Sequence, residues 1–148
     1  MYRLHIPFAD LLIRLIKLNE DRESKYAFFA KKFEQSPIKE KFLELSYQSH
    51  ANLSELSSML PVESTTGYSL FSVSQTMWHE LDRVKNQSDL QRITTIIYRI
   101  EDQYAILYRF ICNMLRNKET NVTQTINAQF HRLMKSRSMI PHLLAHCN

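Results

Sequence analysis

A single glycine, Gly67, serves all 148 residues, and only four prolines accompany it. A chain this poor in turn formers cannot supply the frequent tight turns of a β-sandwich or barrel. Its apolar residues recur instead at steps of three and four, the period of an α-helix buried on one face. An all-α fold of long helices is therefore expected. The length suits a single domain over 1–148. Such a chain hides roughly 68–70% of its unfolded surface, so its core needs no disulfide or metal. The two cysteines, Cys112 and Cys147, are too few for a disulfide framework and suit a reducing compartment.

The first helical pattern runs from Phe8 to Phe33 on Leu11, Leu12, Leu15, Ile16, Tyr26, Phe29 and Ala30. Ser36 and Pro37 then read as an N-cap and a first helical residue. A second pattern follows on Phe42, Leu45, Ser49, Leu53, Leu56 and Leu60, ending at Pro61. Residues 61–69 read as a loop, and a shorter amphipathic helix is expected over 70–86 on Leu70, Phe71, Met77, Trp78 and Leu81. Ser88 and Gln91 have capping-box spacing and open a long helix to about Arg116. A last helix carries Val122, Ile126, Phe130, Leu133 and Met134, with Pro141 in its tail. The expectation is a four-helix bundle of two hairpins, 8–60 and 89–139, joined by the helix at 70–86.

Several functions are excluded by what the sequence lacks. It has no Gly-x-Ser-x-Gly, no Cys-x-x-Cys and no glycine-rich phosphate loop. The N-terminal stretch carries Asp10 and Arg14 without a basic leader or cleavage site, so no signal peptide is expected. No run of 18 apolar residues is present. A cytoplasmic protein without membrane attachment is the expectation. The net charge of +4 is mild, with lysines and arginines scattered among carboxylates, which argues against nucleic-acid binding. The sequon Asn121-Val122-Thr123 has no meaning without export, and His142 and His146 lie in a tail where bound metal would be adventitious.

The two hairpins echo one another. Asn19 precedes Tyr26 by seven residues, Glu101 precedes Tyr108 by seven, and Phe28 and Phe110 each follow two residues later. His50 lies 31 residues after Asn19, and His131 lies 30 after Glu101. With turns at Gln35–Ser36 and Arg116–Asn117, this spacing sets Asn19 level with His50 and Glu101 level with His131. All four are expected near the bundle axis.

This arrangement resembles the ferritin-like superfamily, and within it the small bacterial four-helix members of unknown function. The resemblance rests on "LNEDRESKY" (Leu18–Tyr26), "SHANL" (Ser49–Leu53), Trp78 and "IEDQYAILY" (Ile100–Tyr108), and covers about residues 10–138. "SHANL" is similar to the His-Ala that ends many rubrerythrin motifs. The resemblance implies a di-metal site of two Glu and two Glu-x-x-His. Carried across, Glu101, His50 and His131 match ligand positions. Asn19, Tyr47 and Ala128 stand where carboxylates are lost. Tyr26 and Tyr108 become supporting residues, with Tyr26 implied to bond the carboxylate of Glu101.

A degenerate site of this kind favours a non-catalytic bundle, a binding or interaction module in a stress-related setting, with no cofactor. The alternative is a metal-binding protein or oxidase using the remnant Glu101, His50 and His131, with one Fe, Mn or Zn ion and Glu20 or Glu23 substituting. A third reading docks a protein partner or a second copy through the apolar helix around Trp78.

Overall fold

The computed structural model describes residues 8–60, 90–116 and 120–142. Among these residues the structure is all-helical, with helices α1 (Phe8–Lys32), α2 (Lys39–Ser58), α3 (Leu90–Met114) and α4 (Asn121–Met139). The helix expected over 70–86, with its Trp78 stripe, lies outside the described residues. So does His146. No helix among the described residues is long and apolar enough to cross a membrane.

Each helix forms because its apolar positions share one face. On α1, Leu11, Leu12, Leu15, Leu18, Tyr26, Phe29 and Ala30 are buried, and on α3 Ile93, Ile97, Ile100, Tyr104, Tyr108 and Ile111 are. Each large side chain so buried contributes about 1.5–3 kcal/mol. The first turn occupies residues 33–38, where Ser36 Oγ accepts from the Ile38 amide at 3.4 Å and Ile38 itself is buried. Helix α2 therefore starts at Lys39, later than Ser36-Pro37 suggests. Phe29, Phe33 and Phe42 stack over this end, with centroids 5.7–6.5 Å apart. At the other turn Thr120 caps α4 by accepting from the Thr123 amide at 3.3 Å.

Side-chain pairs give the helix directions. Asn19 meets Asn52 while Glu23 meets Ser46, so α1 and α2 are antiparallel. Asn19 meets Tyr108 while Tyr26 meets Glu101, so α1 and α3 are antiparallel as well. Helix α4 runs against both α2, through Gln48–Ser136 and Asn52–Gln129, and α3, through Tyr108–Gln129 and Asp102–Arg137. Helices α2 and α3 are thus parallel, which puts Leu60 and Leu90 at opposite ends of the bundle.

Candidate functional site in the bundle core

Midway along the helices the apolar core gives way to polar side chains that expose no surface: Asn19 and Arg22 from α1, Ser49 and Asn52 from α2, Glu101 from α3 and Gln129 from α4. Tyr26 and Tyr108 join them, also fully buried. They form two connected groups.

The first group is charged. Arg22 crosses the core and donates from Nε to Glu101 Oε1 at 3.0 Å. Its two terminal nitrogens donate to Ser49 Oγ at 3.1 Å and Gln48 Oε1 at 3.2 Å. Gln48 in turn donates to Ser136 Oγ at 3.1 Å, so one guanidinium links all four helices. The Tyr26 hydroxyl also donates to Glu101 Oε1. Glu101 Oε2 is buried without a hydrogen-bond partner among the described residues, so one oxygen takes all the compensation. Burial works against the Arg22 charge, but the Glu101 carboxylate outweighs it and the guanidinium ends above its ordinary value. Burial first, and then the Glu101 charge, push Tyr26 well above the ordinary phenol value.

The second group is neutral and closed. Asn52 Nδ2 donates to Asn19 Oδ1 at 3.2 Å, and Asn19 Nδ2 donates to the Tyr108 hydroxyl at 3.0 Å. Tyr108 donates to Gln129 Oε1 at 2.7 Å, and Gln129 Nε2 returns to the Asn52 carbonyl at 3.2 Å. Every bond points the same way round, with one residue from each helix. Burial pushes the Tyr108 hydroxyl up, and the Asn19 bond offsets only part of this.

Glu101, Asn19, Tyr26 and Tyr108 thus face the core, but the histidines do not. His50 is on the outer face of α2, 63% exposed, with Nδ1 3.0 Å from Glu23 Oε1. His131 and Ala128 are exposed on α4, and Tyr47 is 67% exposed on α2. The expectation that His50 and His131 stand near the axis beside Asn19 and Glu101 is corrected by the register. The first turn, between Lys32 and Lys39, is centred at 35.5, where Gln35–Ser36 was expected, and the residue that mirrors Asn19 across that centre is Asn52; Asn19 and His50 have their midpoint one residue earlier, at 34.5. Two residues along a helix is a rotation of about 200°, which carries His50 to the opposite side. In the second hairpin Asp102 meets Arg137 and Tyr108 meets Gln129, so Glu101 stands opposite the Ser136–Ser138 stretch, beyond His131.

The remnant ligands Glu101, His50 and His131 therefore do not converge, and Tyr47 and Ala128 are not core positions. Among the described residues no group of three His, Cys, Asp or Glu side chains could hold a metal ion. The inward donors do not fit a di-metal centre. One carboxylate is present, and a guanidinium and a phenol already occupy its bonded oxygen. Divalent cations of this class need several anionic oxygens or convergent imidazoles.

Arg22, Asn52 and Gln129 are core residues that the sequence patterns passed over, whereas Ser49 stood in the pattern of the second helix. A signal existed for each: Arg22 is three residues after Asn19 and four before Tyr26, Asn52 is three after Ser49 and four before Leu56, and Gln129 is three after Ile126 and four before Leu133. The chain matches no protein-family model, and neither a curated protein nor a solved structure is significantly similar to it.

Proposed function

We propose that this chain is a ferritin-like bundle in which a neutralised polar core takes the place of a di-metal centre, and that it serves as a binding or interaction module rather than an oxidase. The ferritin-like part is supported by the parallel course of α2 and α3, which calls for one long crossover between two antiparallel pairs. The observation that carries the functional part is the buried Arg22–Glu101 pair. A permanent cation bound to the only inward carboxylate among the described residues supplies the charge that a metal would bring, and a second cation there would be repelled.

The experiment is metal loading of the purified chain under anaerobic Fe²⁺ or Mn²⁺, followed by elemental analysis and an oxygen-consumption assay. Metal far below one ion per chain, with Fe²⁺ oxidised no faster than in buffer, is the expected result. One tightly held iron or manganese per chain, or catalysed oxidation, overturns the reading.

A further inference from the structure

The two halves of the bundle differ in charge. Residues 8–60 carry eight Lys/Arg and eight Asp/Glu, whereas 90–116 and 120–142 together carry seven Lys/Arg against two Asp/Glu. Both of those acids are engaged: Glu101 is buried on Arg22, and Asp102 pairs with Arg137 at 2.5 Å. Among the described residues the outer surface of α3 and α4 is accordingly basic, with Arg132 the cation that pairs with Glu55 of α2. An apolar stripe lies within it on α3. Ile106, Phe110 and Met114, spaced i, i+4, i+8, are 55%, 48% and 36% exposed. Arg109 is exposed on the same helix, and Arg116 is exposed two residues beyond its end. Arg109 is held with its guanidinium 5.9 Å from the centre of the Phe130 ring, which orders it beside the stripe.

We propose that this face of α3 docks an acidic amphipathic helix of a protein partner; the inference rests on the interaction-module reading and names the partner class. An exposed stripe about 12 Å long, with anchors one turn apart, matches the apolar face of a helix laid along it. The flanking arginines then meet carboxylates in the forked geometry they favour. Nucleic acid fits less well, because Ile106 and Met114 offer no ring on which a base can stack.

The test uses the full chain, isotope-labelled, titrated with a helical peptide carrying leucine at i, i+4 and i+7 and glutamate on the flanks. Saturable shifts centred on Ile106, Phe110 and Met114 are expected, with binding weakened by salt. Ile106→Glu and Phe110→Ser, each with an unchanged urea midpoint, should weaken binding at least about tenfold, and Arg109→Glu with Arg116→Glu should also weaken it. The same peptide with lysine in place of glutamate should not bind. Several outcomes overturn the proposal: no saturable shift, equal binding of the lysine peptide, or tighter binding of a single-stranded oligonucleotide to the same residues. Contacts between the Ile106 methyls and Trp78 in the free chain would give the stripe to the chain's own residues. A dimer abolished by Ile106→Glu would give it to a second copy. None of these outcomes touches the metal content, so the docking face and the metal-free reading fail separately.

Discussion

Arg22 Nε and Glu101 Oε1 meet at 3.0 Å, and neither side chain exposes any surface. Bringing two charges out of water is costly, and their attraction repays this only while both remain. Arg22→Met strands the carboxylate and should cost about 3–5 kcal/mol, seen as a lower urea midpoint. Adding Glu101→Leu to that variant should recover most of the loss, because the pair is removed together. If the double variant is as unstable as the sum of the two single ones, the residues are not coupled.

The hydrogen-bonded ring makes a separate prediction. Tyr108→Phe deletes one hydroxyl but leaves Gln129 Oε1 without its donor and Asn19 Nδ2 without its acceptor across the helices. The cost should be about 1–3 kcal/mol, more than a lost methyl-sized contact explains. Denaturation of Tyr108→Phe beside Tyr98→Phe, whose side chain lies at the partly exposed α3–α4 seam, checks this. The second variant should fall within about 0.5 kcal/mol of the natural chain.

Alkaline stability follows from the two buried phenols. Tyr26 and Tyr108 have folded values raised above the ordinary 10.0, by burial foremost. A raised value means that the folded state holds the proton more tightly. The stability this contributes is whole below about pH 10 and is lost as the pH rises beyond it, because only the unfolded chain ionises there. Each such tyrosine should remove about 1.4 kcal/mol per pH unit above that point. Tyrosinate absorbance should show at least two of the seven tyrosines ionising only with loss of helical circular dichroism. Tyr26→Phe or Tyr108→Phe should each lessen the slope of stability against pH by one proton.

The outward histidines should be nearly silent. His50→Ala breaks an exposed contact with Glu23 that solvent screens, and His131→Ala removes an exposed ring beside Phe130. Each should change stability by less than about 0.5 kcal/mol, and a chelator should not alter the unfolding curve of either variant or of the natural chain. A chelator-sensitive midpoint lost in both histidine variants would restore them as ligands.

The helices were legible because apolar residues at steps of three and four leave little freedom: the pattern from Phe8 to Phe33 is α1 almost to the residue, and that from Ile93 to Ile111 is the buried face of α3. The inward placement of Asn19, Tyr26, Glu101 and Tyr108 follows from the same period. Two things were not legible. The register of facing helices must be known to the residue: the turn is centred at Gln35–Ser36 as expected, but the midpoint of Asn19 and His50 lies one residue before that centre, which is enough to exchange His50 for Asn52. Arg22 was hidden by its type, since an arginine between Asp21 and Glu23 reads as part of a solvated run. Yet Arg22 explains why the repeat carries an amide at Asn19 and an acid at Glu101. One guanidinium balances one carboxylate, and a second acid in the core would have no counter-charge.

That asymmetry governs which halves can associate. Tyr26 of the first hairpin reaches Glu101 of the second, while Tyr108 of the second meets Asn19 of the first. Two copies of the first hairpin facing each other would bury two guanidiniums with no acid between them. Two copies of the second would bury two carboxylates with no cation. Each half is therefore a poor mate for itself and a good one for the other, so the core excludes pairing of like hairpins, whether two first or two second ones, and accepts only a first hairpin closed on a second.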